Sequence, residues 1–288
     1  MRPVSVAHTT LRLSFLIAGV IVVAFPFANM VLTAVTSEHE LFANPARVVW
    51  LPSPVRLENF SRVLAFRNMD FVRAFRNTIF VISVVIVTTV ITSSWIAYGF
   101  SMIDFRGRNL LFVLMLSTMM IPSQVKLIPQ FLLFSRIGWV DTYLPLMVWG
   151  FFGNPFYIFL IRQFALGIPR SLVDAARVDG CSHVGIYWRI VMPQLTPILT
   201  AVAVFLFIGE WRNLLGPLIY IRSQRLYTIA MELNRFQGFV SGTTGSQLPL
   251  TNLLLAASTL TMIPPVLVFV IGQRHFLRSL DVTSGIKG

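Results

Sequence analysis

The sequence predicts an all-α polytopic membrane protein with six transmembrane helices, and three observations carry that prediction. Of the 288 residues, 56% are hydrophobic and only 12% charged, about half the charged share of a soluble domain. Mean hydropathy is +0.75. The apolar residues also gather in stretches close to the roughly 20 residues that cross a bilayer core.

The first stretch, Leu13–Val35, follows Arg2 and Arg12. It lacks a small-residue cleavage pattern and is expected to remain as a membrane helix. A long connection, Thr36–Thr78, holds a Leu-Pro-Ser-Pro turn at 51–54 and a mixed amphipathic stretch, Glu58–Arg76. The second span, Ile79–Phe100, carries hydroxyls at Thr88, Thr89, Thr92, Ser93 and Ser94. These read as bonding within or between helices in preference to lining a solute path. The short basic loop Ser101–Asn109 leads to a third span, Leu110–Phe134, and the turn Ser135–Tyr143 to a fourth, Leu144–Leu166. Pro122, Pro145 and Pro155 read as prolines tolerated in packed spans. The fifth span, Leu195–Gly209, is short, with room to continue through Trp211 to Ile221. The sixth is Leu248–Ile271.

No internal repeat or low-complexity tract divides the chain. The expected layout is an N-terminal segment (1–12), one membrane domain (13–271) and a tail (272–288). Six spans put both termini on one side. The overall distribution of basic residues leaves the orientation undecided, but the short loop with Arg106 and Arg108 favours cytoplasmic termini.

The net charge of +12 comes almost entirely from arginine, since the lysines are Lys126 and Lys287. These cations flank apolar spans, which indicates lipid headgroups and not nucleic acid. A single cysteine, Cys181, excludes an internal disulfide and a cysteine-rich metal site, and reads as a small packing residue. His8, His39, His183 and His275 show no ligand spacing. No metal site and no catalytic constellation is expected.

Between the fourth and fifth spans lies a polar island, Gly167–Gln194. It contains Asp174-Ala175-Ala176-Arg177-Val178-Asp179-Gly180, with Pro193 thirteen residues further on. Ser171 stands as a candidate N-cap with Asp174 at capping-box spacing, and Gly180 is placed to end the helix in a left-handed turn. The sequence has no Gly-x-x-x-x-Gly-Lys-Ser/Thr, so no phosphate-binding loop is predicted. It also lacks the intramembrane carboxylate pairs and repeat symmetry expected of an ion-coupled carrier. That carrier, working alone, is the alternative reading. If the chain moves a solute uphill, energy is expected to arrive from a partner, and a polar helix outside the membrane is a place to receive it.

The island, continued by Ile190-Val191-Met192-Pro193, resembles the EAA loop of ABC importer permeases. The chain from about residue 10 onward is similar to MalG-like permease subunits of carbohydrate importers. Asn77-Thr78, Tyr98-Gly99-Phe100, Phe105-Arg106-Gly107-Arg108, Ile121-Pro122, Asp141-Thr142-Tyr143, Leu226-Tyr227-Thr228 and the ending Gly285-Ile286-Lys287-Gly288 carry the likeness. The resemblance implies a type I importer permease fold in a prokaryotic cell membrane, with the 167–194 loop cytoplasmic. It implies that Asp174, Ala175, Ala176, Arg177, Asp179, Gly180 and Pro193 couple to an ATPase, and that Gln273, Arg274, Gly285 and Lys287 contact it from the tail. The implied partners are a homologous second permease, two ATP-binding subunits holding ATP and magnesium, and an extracytoplasmic solute-binding protein. This chain itself would hold no cofactor. Asp174 stands where the family usually has Glu, and Met192 where it has Leu. Along the spans, Asn154, Glu210, Arg212 and Asn213 are the candidate solute-pathway groups, while Trp211 reads as a packing or interface residue. Arg222, Arg225 and Arg235 read as solvated loop charges.

Overall fold

A computed structural model describes residues 6–43, 52–66, 69–242 and 250–284. Among the described residues the secondary structure is helical, without strands. The helices in chain order are α1 (Val6–Ala34), α2 (Glu38–Ala43), α3 (Glu58–Leu64), α4 (Phe71–Met102), α5 (Arg108–Ser117), α6 (Ser123–Arg136), α7 (Leu144–Met147), α8 (Pro155–Ala165), α9 (Arg170–Val178), α10 (His183–Ile186), α11 (Met192–Trp211), α12 (Leu215–Tyr220), α13 (Ile229–Gly242) and α14 (Thr251–Ser284). Ile79–Thr92 is rich in Val, Ile and Thr, residues that favour strands in water. In hydrocarbon the backbone must satisfy itself within the segment, so the stretch forms the interior of the 32-residue α4. Its hydroxyls turn back onto the helix: Thr78 donates to the Ala74 carbonyl, Thr88 to Val84 and Ser101 to Ala97.

Among the described residues, five stretches are long and apolar enough to cross a membrane: Arg12–Ala34, Phe71–Met102, Leu144–Ala165, His183–Trp211 and Thr251–Gln273. The third expected span is not one helix. Arg108–Met120 and Ser123–Arg136 meet at 92°. Ile121, immediately before Pro122, is extended (φ −80°, ψ 115°), because the proline ring excludes the preceding residue from the helical region. The fourth span is interrupted by a 3₁₀ turn over Val148–Phe152 and by Gly153 at φ +75°. The fifth starts earlier than expected and does not run on to Ile221. It passes through a π turn at Tyr187–Val191 and stops at Trp211. Pro193 cannot donate a backbone bond, and its ring crowds the carbonyl of Arg189. A wide turn at that place accommodates both constraints.

The chain divides into two compact units, residues 1–72 with 232–263 and residues 73–231 with 264–288. In the first, the apolar window of α1 buries none of its residues within the chain. Buried Asn59 ties the end of α1 to α3, donating to the carbonyls of Ala34 (2.8 Å) and Thr36 (3.0 Å). Asn252 reaches the same Thr36 carbonyl. Phe236 is fully buried and meets Phe66 and Phe71 edge-on. Beside it, the buried carboxylate of Glu232 accepts from the Asp70 amide at 2.8 Å and lies 3.7 Å from Arg235.

In the second unit, α4, α8, α10 and α11 share a core that includes Ala97, Ile161, Ile186, Tyr187, Leu195 and Val202. Tyr187 is fully buried, and its hydroxyl meets Ser94 at 2.7 Å. The span from Leu144 to Ala165, at about 1.5 Å per helical residue, separates the loop at Asp141 from the polar helix α9. These are the unit's two ends.

Candidate functional site

At one end, α9 starts at Arg170 behind Pro169, with no side-chain cap. The expected capping box is absent: Ser171 already lies within the first turn, and Pro169 offers no side-chain acceptor. The C-terminal expectation is met. Gly180 adopts φ +79°. The Cys181 amide bonds the Ala176 carbonyl (2.9 Å) and the Gly180 amide that of Arg177 (3.0 Å), the paired bonds of a Schellman turn. Burial follows helical spacing. Val173 and Ala176 face the core, while Asp174, Ala175, Arg177 and Val178 face out, Val178 at 88% exposure. The ion pair Asp174–Arg177 spans 3.8 Å between exposed groups, which contributes little and leaves the Asp174 carboxylate open to a partner.

Arginines fasten this end to α4. The last carbonyls of a helix lack intrahelical donors, and Arg162 Nε reaches Phe100 O at 3.2 Å while Arg177 reaches Met102 O at 3.4 Å. Arg162 also lies 4.2 Å above the Phe112 ring. Just past α4, Asp104 takes Arg108 at 2.6 Å and Arg170 at 3.5 Å. Arg177 and Arg170 thereby tie α9 to the end of α4 and to Asp104 just past it.

Away from that end, a cavity of about 380 Å³ opens in the same unit. Three helix breaks converge on it: Ile121-Pro122 beside Ser123, Val148–Gly153 beside Asn154, and Arg212–Leu214 at Asn213. Non-helical backbone at membrane depth is tolerated where it lines a cavity or lies within protein. Asn154 caps α8, accepting from Phe156 N at 2.9 Å, and its own amide donates to Ser93 Oγ at 3.1 Å. Thr92 donates to Gly150 O at 2.8 Å. A Cβ on Gly150 would collide with Thr88 Oγ1, so the approach of this break to α4 requires glycine. Asn213 donates to Glu210 Oε2 at 3.0 Å and accepts from Gly216 N at 3.2 Å.

Asn154, Glu210 and Asn213 therefore come together in one cavity lining, and Arg212 is not among its residues. Trp211 is buried, stacked on Phe207 and edge-on to Phe75. The span-two hydroxyls mostly hold the packing, although Thr89 reaches the cavity. Pro193 stands exposed at the start of α11. Gln273 lines an apolar groove with Val204 and Phe269. The Arg274 side chain, Gly285 and Lys287 lie outside the described residues. Sequence reasoning missed Trp149, Gln130 and Ser123 in the cavity wall. The signal was the run Trp149-Gly150-Phe151-Phe152-Gly153-Asn154-Pro155, whose glycines and Asn-Pro pair mark a break inside a stretch read as one span.

At the cavity end, Asp141 sits at φ +65°. Its Oδ1 accepts from the amides of Arg222 (2.9 Å) and Ser223 (2.7 Å), its Oδ2 from the Ser223 hydroxyl, and its amide donates to Tyr220 O (2.7 Å). The Ser223 hydroxyl above all, then the Ser223 and Arg222 amides, hold the Asp141 carboxyl below the usual carboxylate range.

Residues 89–282 match the family described as binding-protein-dependent transport system inner membrane component. The chain is 33% identical to the arabinooligosaccharides transport system permease protein AraQ of Halalkalibacterium halodurans, over 93% of this chain and 92% of that one. It is 31% identical to the sn-glycerol-3-phosphate transport system permease protein UgpE of Escherichia coli, over 93% and 94%. It is 29% identical to the trehalose/maltose transport system permease protein MalG of Thermococcus litoralis, over 96% and 98%. Its fold is similar to a chain in the crystal structure of a bacterial ABC transporter involved in the import of the acidic polysaccharide alginate. The TM-score there is 0.81 at 22% identity, covering 96% of this chain and 99% of that one.

Proposed function

Since the chain belongs to the family of binding-protein-dependent transport system inner membrane components, we propose that α9 is the surface through which ATP hydrolysis on partner subunits drives its transport cycle. It is a multi-pass membrane permease and not itself an enzyme. In the proposed complex it pairs with a homologous permease, two ATP-binding subunits that hold ATP and magnesium, and an extracytoplasmic solute-binding protein. The membrane is that of a prokaryotic cell, with α9, both termini and the tail on the cytoplasmic side. The solute is a sugar or sugar-like molecule, in keeping with the arabinooligosaccharide and trehalose/maltose relatives.

One observation carries the coupling role: α9 turns Asp174, Ala175 and Val178 outward while Val173 and Ala176 seat it on the unit's core and Arg177 and Arg170 reach the Met102 carbonyl of α4 and Asp104 just past it. Small Ala175 lets a partner backbone approach closely, Asp174 and Asp179 offer acceptors to basic groups, and Gly180 makes the turn that presents them. The arginine contacts carry a push on α9 to the end of α4. Along α4, Thr92 and Ser93 hold the break at Gly150–Asn154 beside the cavity. Closure of the ATPase pair would in this way alter access to the cavity.

Gly180→Asp tests this. It puts a side chain at φ +79° and a carboxylate at a helix C-terminus, where the dipole disfavours it. In reconstituted vesicles the complex should lose ATP-driven uptake at least tenfold while still assembling. Unchanged uptake and ATPase stimulation would remove α9 from the coupling role. Uptake by this chain alone on an ion gradient would replace the whole reading with a self-sufficient carrier.

A further inference from the structure

We infer that the cavity beside Glu210 and Trp149 receives an uncharged or amino-bearing polyhydroxylated solute and rejects acidic ones. The inference rests on the transport reading above and names the class of solute that this part of the path accepts.

The charge of the lining is the first argument. Among the described residues that line it, Glu210 is the one carboxylic acid, and there is neither lysine nor arginine. With no cation in the lining to pair with it, a phosphate or carboxylate entering the cavity would give up its hydration without compensation, whereas a hydroxyl exchanges its water for the amides there. The Glu210 carboxyl accepts from an amine and from a hydroxyl alike. The second argument is hydrogen-bonding capacity. Gln130, Asn154 and Asn213 add amides to the carboxylate. Each amide both donates and accepts, which matches the paired donor and acceptor of adjacent hydroxyls on a sugar ring.

The third argument is Trp149. It lines the cavity and is 46% exposed, and Phe134 meets it edge-on at 5.9 Å. A fixed indole beside polar groups gives one apolar surface for the C–H face of a pyranose or furanose ring, with polar partners for its hydroxyls. At about 380 Å³ the cavity sits at the lower end of the range for small-molecule sites, enough for one or two sugar rings at a time. Glu210 also braces the break at Asn213, so the test needs a second residue that has no part in that brace.

The assembled complex, in ATP-loaded vesicles, is given an equimolar mixture of neutral di- to tetrasaccharides, glucosamine, glycerol phosphate and oligouronates. Internalised solutes are read by mass spectrometry and normalised to assembled complex. The expected result is uptake of neutral or amino solutes with exclusion of both acidic ones. Trp149→Ala should lower that uptake at least tenfold, Trp149→Phe, which keeps an aromatic face, should restore it to within threefold, and Glu210→Gln, which keeps an acceptor for hydroxyls, should leave neutral uptake within threefold of normal. Uptake of the acidic solutes by the unaltered complex overturns the inference, as does uptake within twofold of normal in Trp149→Ala. Uptake that proceeds without ATP leaves this inference to stand or fall on its own solute pattern and overturns the coupling reading instead.

Discussion

Around α9 the outward-facing groups come from nine consecutive residues. Around the cavity they come from segments scattered between Val85 and Tyr220 and face inward. The α9 end needs one capped turn, two small buried residues and arginines on the last carbonyls of α4. The cavity end needs three spans to break at matching depth. A docking surface can thus be written in a short stretch of chain, whereas an internal path is written in the packing of distant ones. Damage to the first should cost coupling more than stability, and damage to the second should cost both.

The largest expected effect lies at the cavity. Gly150→Val forces a branched side chain into Thr88 and Thr89, and overpacking of this kind costs about 1–3 kcal/mol. The melting temperature of the purified complex should fall by several degrees and uptake should fall with it. Gly99, in the same helix that Gly150 approaches, has nothing within 4 Å of its added Cβ. Gly99→Ala should therefore be neutral or stabilising by up to about 1 kcal/mol. Equal melting temperatures for the two variants would mean that close approach to α4 does not hold the break in place.

A smaller effect separates the two faces of α9. Ala176 is buried at 6% exposure and Ala175 is exposed. Ala176→Leu should destabilise by about 1–2 kcal/mol through overpacking, read as a lower melting temperature. Ala175→Leu should leave the melting temperature within about a degree and reduce ATPase stimulation by loaded binding protein severalfold, because it obstructs the surface offered to the partner. A stability loss for Ala175→Leu would show that this face is already covered within the chain.

The same contrast explains what the sequence made legible. Helical class, the apolar stretches and the turn at Gly180 follow from composition and local chemistry, and the resemblance of 174–180 needed no tertiary information. The capping box failed because Ser171-x-x-Asp174 has the right spacing but the helix starts at Arg170, so the N-cap is Pro169, two residues before Ser171. The third span was legible as an apolar stretch of 25 residues, but its bend was not, because hydropathy looks continuous even when a proline forces its neighbour out of the helix. Asn154, Glu210 and Asn213 were visible as polar residues near apolar spans. Their meeting was not, since it depends on where breaks in three different segments come to rest. Arg212, next to Asn213 in sequence, is not in the lining, since neighbours in a chain do not share a face.

Asp141 gives the smallest effect and the sharpest check on how the cavity end is stitched together. Its carboxylate joins the loop before α7 to the loop after α12 through Arg222 and Ser223. Asp141→Asn keeps the size and the tolerance for φ +65° but removes the charge from those bonds. Allowing for solvent screening, the loss is roughly 1 kcal/mol. The carboxyl is held below its ordinary value in the folded chain, so its contribution is complete at any pH above the unfolded value of about 3.9. It disappears as pH falls through the lower folded value, where the proton binds in both states. The melting-temperature gap between the unaltered chain and Asp141→Asn should therefore stay constant from about pH 8 to pH 5 and close below about pH 4. A gap that varied between pH 6 and 8 would assign the titration to another group and remove Asp141 as the tie between the two loops.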